Sequence, residues 1–75
     1  MPAPRVVADR YSIKVYFGDV LHVHVKRSAF LGLQSWSDGP HHYSIEFSLT
    51  DGFLTVEYDD AENWRVILGA LDRLL

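Results

Sequence analysis

Seventy-five residues without a cysteine allow one domain, near the lower limit at which a chain buries enough surface to fold unaided by disulfides. Hydrophobic residues make up 48% of the chain and ten residues are aromatic, which excludes intrinsic disorder. The net charge of −3 is unevenly placed: residues 1–35 hold five Lys/Arg against two Asp/Glu (+3), and residues 36–75 hold two against eight (−6).

Residues 1–10, with Pro2 and Pro4 and no sustained pattern, read as a flexible N-terminal arm, of which Arg5-Val6-Val7 suits a sheet edge. Residues 11–75 read as a single α+β domain. From Tyr11 the alternation is strict: Tyr11, Ile13, Val15 and Phe17 share one face, Ser12, Lys14 and Tyr16 the other. After Gly18-Asp19, Leu21, Val23 and Val25 point inward, while His22, His24 and Lys26 point outward. A three-residue loop would pair Phe17 with Leu21, Val15 with Val23 and Ile13 with Val25. Val20 suits the left-handed end of such a loop badly, so a bulge near Gly18-Asp19 is the alternative way to fix the phase.

Ala29, Leu31 and Leu33 alternate with Phe30, Gly32 and Gln34, which predicts a third strand, continuing the second through a bulge near Arg27-Ser28. A loop over residues 37–41 would pair Leu33 with Ile45 and Leu31 with Phe47. Tyr43 to Tyr58 is the clearest hairpin, with Asp51-Gly52 suited to a type I′ turn. That turn sets Leu49 opposite Leu54, Phe47 opposite Val56 and Ile45 opposite Tyr58. The last element is a helix from about Asp60 to Leu75, with Asp59 as cap and Glu62 at capping-box spacing. Ala61, Trp64, Ile67, Leu68, Leu71, Leu74 and Leu75 form its apolar stripe.

The expected fold class is therefore α+β: a four-stranded antiparallel β-meander with one C-terminal helix packed on one face, in β-β-β-β-α order. Its core is expected to comprise Ile13, Val15, Val23, Ile45, Phe47, Val56, Trp64, Leu68 and Leu71. The opposite face of the sheet would carry Tyr16, His22, His24, Phe30, Trp36 and Phe53, and is the expected interface or ligand-binding surface. Val66, Gly69 and Ala70 lie off the helical stripe, where small residues would admit a partner.

No catalytic residues, metal site or cofactor are expected. His22-x-His24 offers two imidazoles on one strand face, but Lys14 opposes them and no third ligand stands nearby. Ser35, Ser37, Asp38, His41 and His42 are close in sequence without the rigid scaffold and pocket that a triad needs. The sequence holds no glycine-rich phosphate loop or nucleotide fingerprint. The function expected is a non-catalytic protein-interaction or homodimerising module, with Trp36 as the interface hot spot. The alternative is a single-stranded nucleic-acid-binding domain using the aromatic sheet face, which the net negative charge disfavours. The charged halves are expected to form neighbouring strands and neutralise each other; the alternative is that one face binds an acidic partner. Short apolar runs and the absence of signal-peptide regions predict a soluble, cytoplasmic protein with no membrane partner.

Overall fold

Alternation in the first third of the chain produces a three-stranded antiparallel sheet. In the computed structural model, which describes residues 3–75, its strands are β1 (Pro4–Ala8), β2 (Ser12–Phe17) and β3 (Val20–Lys26), in spatial order β1-β2-β3. Residues 4–8, within the expected arm, form a paired strand at the sheet edge that Arg5-Val6-Val7 suits, with Val6 opposite Val15 and Ala8 opposite Ile13. The remainder of the expected arm at residues 1–2 lies outside the described residues. Asp9 closes the β1–β2 turn, its carboxylate accepting from the backbone N–H groups of Tyr11 (2.7 Å) and Ser12 (2.8 Å).

Ile13 pairs with Val25 and Val15 with Val23, as the apolar phases require. The register then shifts, so that Tyr16 pairs with Leu21 and Phe17 with Val20 across a two-residue turn. Gly18 takes φ 61° while Asp19 stays at negative φ, the sign pattern of a type II′ turn. The bulge that this short turn demands falls on His22, the unpaired residue between Leu21 and Val23.

A 3₁₀ turn at Arg27–Ala29 separates β3 from β4 (Phe30–Ser37), which joins β5 (Tyr43–Leu49) and β6 (Gly52–Tyr58) in a second three-stranded sheet. The expected four-stranded meander is therefore two sheets of three strands. The crossing is made within three residues: the Arg27 N–H donates to Tyr11 O of the first sheet, and Ala29 O accepts from Thr50 N–H of the second, both at 2.9 Å.

In the second sheet Leu33 pairs with Phe47, Ser35 with Ile45 and Ser37 with Tyr43, two residues away from the expected register. A bulge at Leu31 reverses the phase at the strand's start, so Leu31 is 67% exposed and Phe30 turns inward, its ring 6.3 Å from that of Phe47. The β5–β6 hairpin is also shifted by two: Phe47 pairs with Leu54, Ile45 with Val56 and Tyr43 with Tyr58. Thr50-Asp51 forms the turn at negative φ, excluding type I′, and the positive φ belongs to Gly52 (150°) as it opens β6. A shift of two leaves every side chain on its face, which is why alternation alone does not detect it.

The helix α1 (Ala61–Leu74) starts one residue later than expected. Asp60, not Asp59, is the N-cap: its backbone is extended and its side chain accepts from Glu62 N–H at 2.8 Å. Glu62 is then the second helical residue, and the capping-box spacing is not used. The helix bridges the layers, packing on β1 of the first sheet and on β5 and β6 of the second.

Inward faces of both sheets and the helix share one core of Ile13, Val15, Val23, Val25, Ile45, Phe47, Tyr58, Ile67 and Leu71. The expected core members Val56, Trp64 and Leu68 are half-buried against it. Leu74 and Leu75, assigned to the stripe, stay exposed where the helix runs past its support.

Candidate functional site

Strand pairing places the outward residues of the first sheet in rows. Arg5, Tyr16 and Leu21 form one row, Val7, Lys14 and His24 the next, and Lys26 lies beyond, opposite Ser12. Period two puts all of these on one face, so three cations share it in successive rows, with the Asp9 carboxylate near Lys14. The Arg5 guanidinium sits 4.7 Å from the centre of the Tyr16 ring, which holds its charge over the sheet.

The second sheet's outer face has the opposite character. Its rows are Gly32, Ser48 and Phe53; Gln34, Glu46 and Thr55; and Trp36, Ser44 and Glu57. The carboxylates of Glu46 and Glu57 give it negative charge, and Thr55 Oγ1 donates to Glu46 Oε2 at 3.3 Å. Trp36 and Phe53 occupy opposite corners, on different strands with a polar row between them.

The six residues expected on one face are consequently divided. Tyr16 and His24 lie on the first sheet's outer face, Trp36 and Phe53 on the second's, and Phe30 packs inward. His22 goes elsewhere. The bulge swings its ring to 5.1 Å from Phe17 and 5.6 Å from Tyr58, both inward residues at the end of their strands.

There His22 borders a cleft of about 480 Å³ between the β2–β3 hairpin, the β4–β5 loop and the β6–α1 junction. Phe17 and Tyr58 supply aromatic lining, and His41, His42, Glu57, Asp59 and Asn63 supply polar groups. A second depression of about 530 Å³ shares His41, Asp59 and Asn63 and adds Tyr43 and Asp60. The loop that delivers His41 and His42 is closed by Asp38 N–H donating to His42 O at 2.9 Å. Within it Gly39 takes φ 82° and His41 φ 67°, a left-handed conformation that is uncommon without glycine.

Tyr58 is 8% exposed, and its hydroxyl has no hydrogen-bond partner among the described residues. Burial pushes that hydroxyl up to about 12. Ser35, Ser37 and Asp38 are not among the described residues that line the cleft, so the structure does not bring them beside its histidines. Among the described residues no three His, Cys, Asp or Glu are grouped to hold a metal ion. No helix is long and apolar enough to cross a membrane among those residues.

The association of His22 with His41 and His42, rather than with His24, is what sequence reading missed. Its signal was present in the apolar phases flanking Gly18-Asp19, which fit a two-residue turn only with one extra residue in β3. Compared with protein-family models, curated proteins and solved structures, the chain has no match.

Proposed function

We propose that this chain is a non-catalytic protein-binding module that takes an acidic segment of a partner on the outer face of its first sheet. The observation that carries this reading is the segregation of charge onto two outward faces. Arg5, Lys14 and Lys26 share one, and Glu46 and Glu57 share the other. Clustered like charge on a nearly flat surface attracts an oppositely charged partner and speeds its encounter. Tyr16, Leu21 and Val7 add apolar area between the cations, which gives an extended peptide something to cover.

Self-association fits this arrangement less well. A two-fold dimer sets each face against its own copy, so basic meets basic or acidic meets acidic. Contact between the unlike faces is head to tail and builds a ring or a filament rather than a two-fold dimer. Single-stranded nucleic acid remains the second reading for the same face, because Tyr16 and His24 are available for stacking.

The test is a titration of labelled acidic peptide and of single-stranded RNA of equal charge, at roughly 50 and 300 mM salt. Peptide binding that weakens with salt, and that falls at least about tenfold in Lys14→Glu/Lys26→Glu, is the expected result. Preference for RNA moves the assignment to the second reading. Failure of both ligands, with sedimentation as a dimer, overturns the proposal.

A further inference from the structure

The cleft at the opposite end of the chemistry from the basic face points to a second ligand. We infer that it binds a donor-rich organic cation, the alkylguanidinium or alkylammonium group of an arginine or lysine side chain or of a free amine.

Formal charge around the cleft is negative only. Glu57 and Asp59 line it, Asp60 lines the depression beside it, and none of the chain's seven lysines and arginines reaches either. An anion entering here meets like charge. Carboxylates accept hydrogen bonds and never donate them when ionised, so Glu57 and Asp59 add pure acceptors beside His22, His41, His42 and Asn63, which both donate and accept. Guanidinium and ammonium groups are donors without acceptors, the complementary inventory.

The lining supplies the second requirement of cation recognition. Phe17 and Tyr58 present aromatic rings with centroids 6.3 Å apart, and His22 packs edge-on to Phe17. Aromatic surface beside carboxylates favours a cation whose alkyl stem is buried while its head is paired.

Tyr58 supplies the third. More than nine-tenths of this residue is buried, and its hydroxyl is unpartnered although the residue lines the cleft. A buried hydroxyl without a partner destabilises the free protein, and an N–H donor that reaches the phenolic oxygen offsets the acceptor's share of that cost. His41 is held beside the site at φ 67°, a conformation the surrounding loop must enforce. A divalent metal ion is the competing occupant, and the lack of any three-ligand group among the described residues disfavours it.

The experiment is nitrogen-15 NMR titration of the intact chain with N-acetyl-arginine amide and, separately, with guanidinobutylamine. Saturable shifts at Phe17, His22, His41 and Tyr58 with either probe are expected, and the tighter of the two identifies a protein side chain or a free amine as the source. Glu57→Gln/Asp59→Asn changes two exposed residues and should weaken binding at least about tenfold. Tyr58→Phe should weaken it several-fold while leaving the unliganded protein no less stable, since the lost hydroxyl had no partner. Binding that is unchanged in the carboxylate variant overturns the inference. So does the absence of saturation at roughly 20 mM probe, or shifts at the same residues caused by acetate, phosphate or zinc instead.

Discussion

Trp64 is expected to contribute more to stability than any other half-buried residue, and the structure separates its contribution into parts. One turn inside α1, its indole N–H donates to Ser44 O of β5 at 3.0 Å, and its ring lies 5.1 Å from that of Tyr43. Truncating a core tryptophan to alanine costs about 3–5 kcal/mol. Trp64 keeps some contact with solvent, which brings the transfer and cavity cost to about 2–3 kcal/mol. Loss of the hydrogen bond adds about 1 kcal/mol. The stacked pair with Tyr43 overlaps the burial term, so Trp64→Ala should cost about 3–4 kcal/mol, a large share of the total for a domain this small. Trp64→Phe keeps an aromatic ring against Tyr43 but removes the donor, and should cost only about 1–2 kcal/mol. Urea titrations followed by far-ultraviolet circular dichroism measure both, with the slope unchanged between variants. An alanine cost below about 1 kcal/mol would refute helix docking through this residue. Equal costs for alanine and phenylalanine would mean that the hydrogen bond, not the packing, holds the helix.

Three further outcomes follow from single observations. The Tyr58 hydroxyl ionises near 12 in the fold against 10 when unfolded, so its contribution is intact below pH 10 and is lost as pH rises through 12. Alkaline unfolding of Tyr58→Phe should begin at higher pH than that of the parent; coincident curves would show the hydroxyl is not desolvated. The Asp9 carboxyl is held below its ordinary 3.8 by the backbone N–H groups of Tyr11 and Ser12, so its contribution is present above that pH and is lost as pH falls through the lowered folded value. The melting-temperature gap between the parent and Asp9→Ala should therefore narrow from pH 6 to pH 3, and a constant gap would assign the loss to the turn's conformation instead. Gly69 lies in α1 with nothing within 4 Å of an added Cβ, so Gly69→Ala should gain roughly 1 kcal/mol in denaturant titration. A loss there would reveal a partner approaching the small residues Gly69 and Ala70.

Local periodicity determined a good part of this protein. The alternation from Tyr11, the hairpin around Asp51 and the helical spacing from Trp64 to Leu71 each place side chains on a face, because neighbours along one strand or helix settle that by geometry alone. Ile13, Val15, Val23, Ile45, Phe47 and Leu71 were legible as core for this reason, and the uneven charge was legible as a composition shift. Which strands pair was not. Alternation fixes a face but leaves register open by steps of two, and both second-sheet hairpins took the neighbouring register. Nor does it show where a sheet ends: the three residues Arg27–Ala29 send the chain to a second sheet, so the basic and acidic halves face outward separately instead of lying side by side. The bulges at Leu31 and His22 depend on how a strand meets its partner and its turn; the apolar phases hinted at one near Gly18-Asp19 without placing it on His22, and gave no sign of the one at Leu31. The cleft is the product of such long-range choices. His22, His41, Tyr58 and Asp59 are distant in sequence, and only the packing of two sheets and a helix brings them to one place.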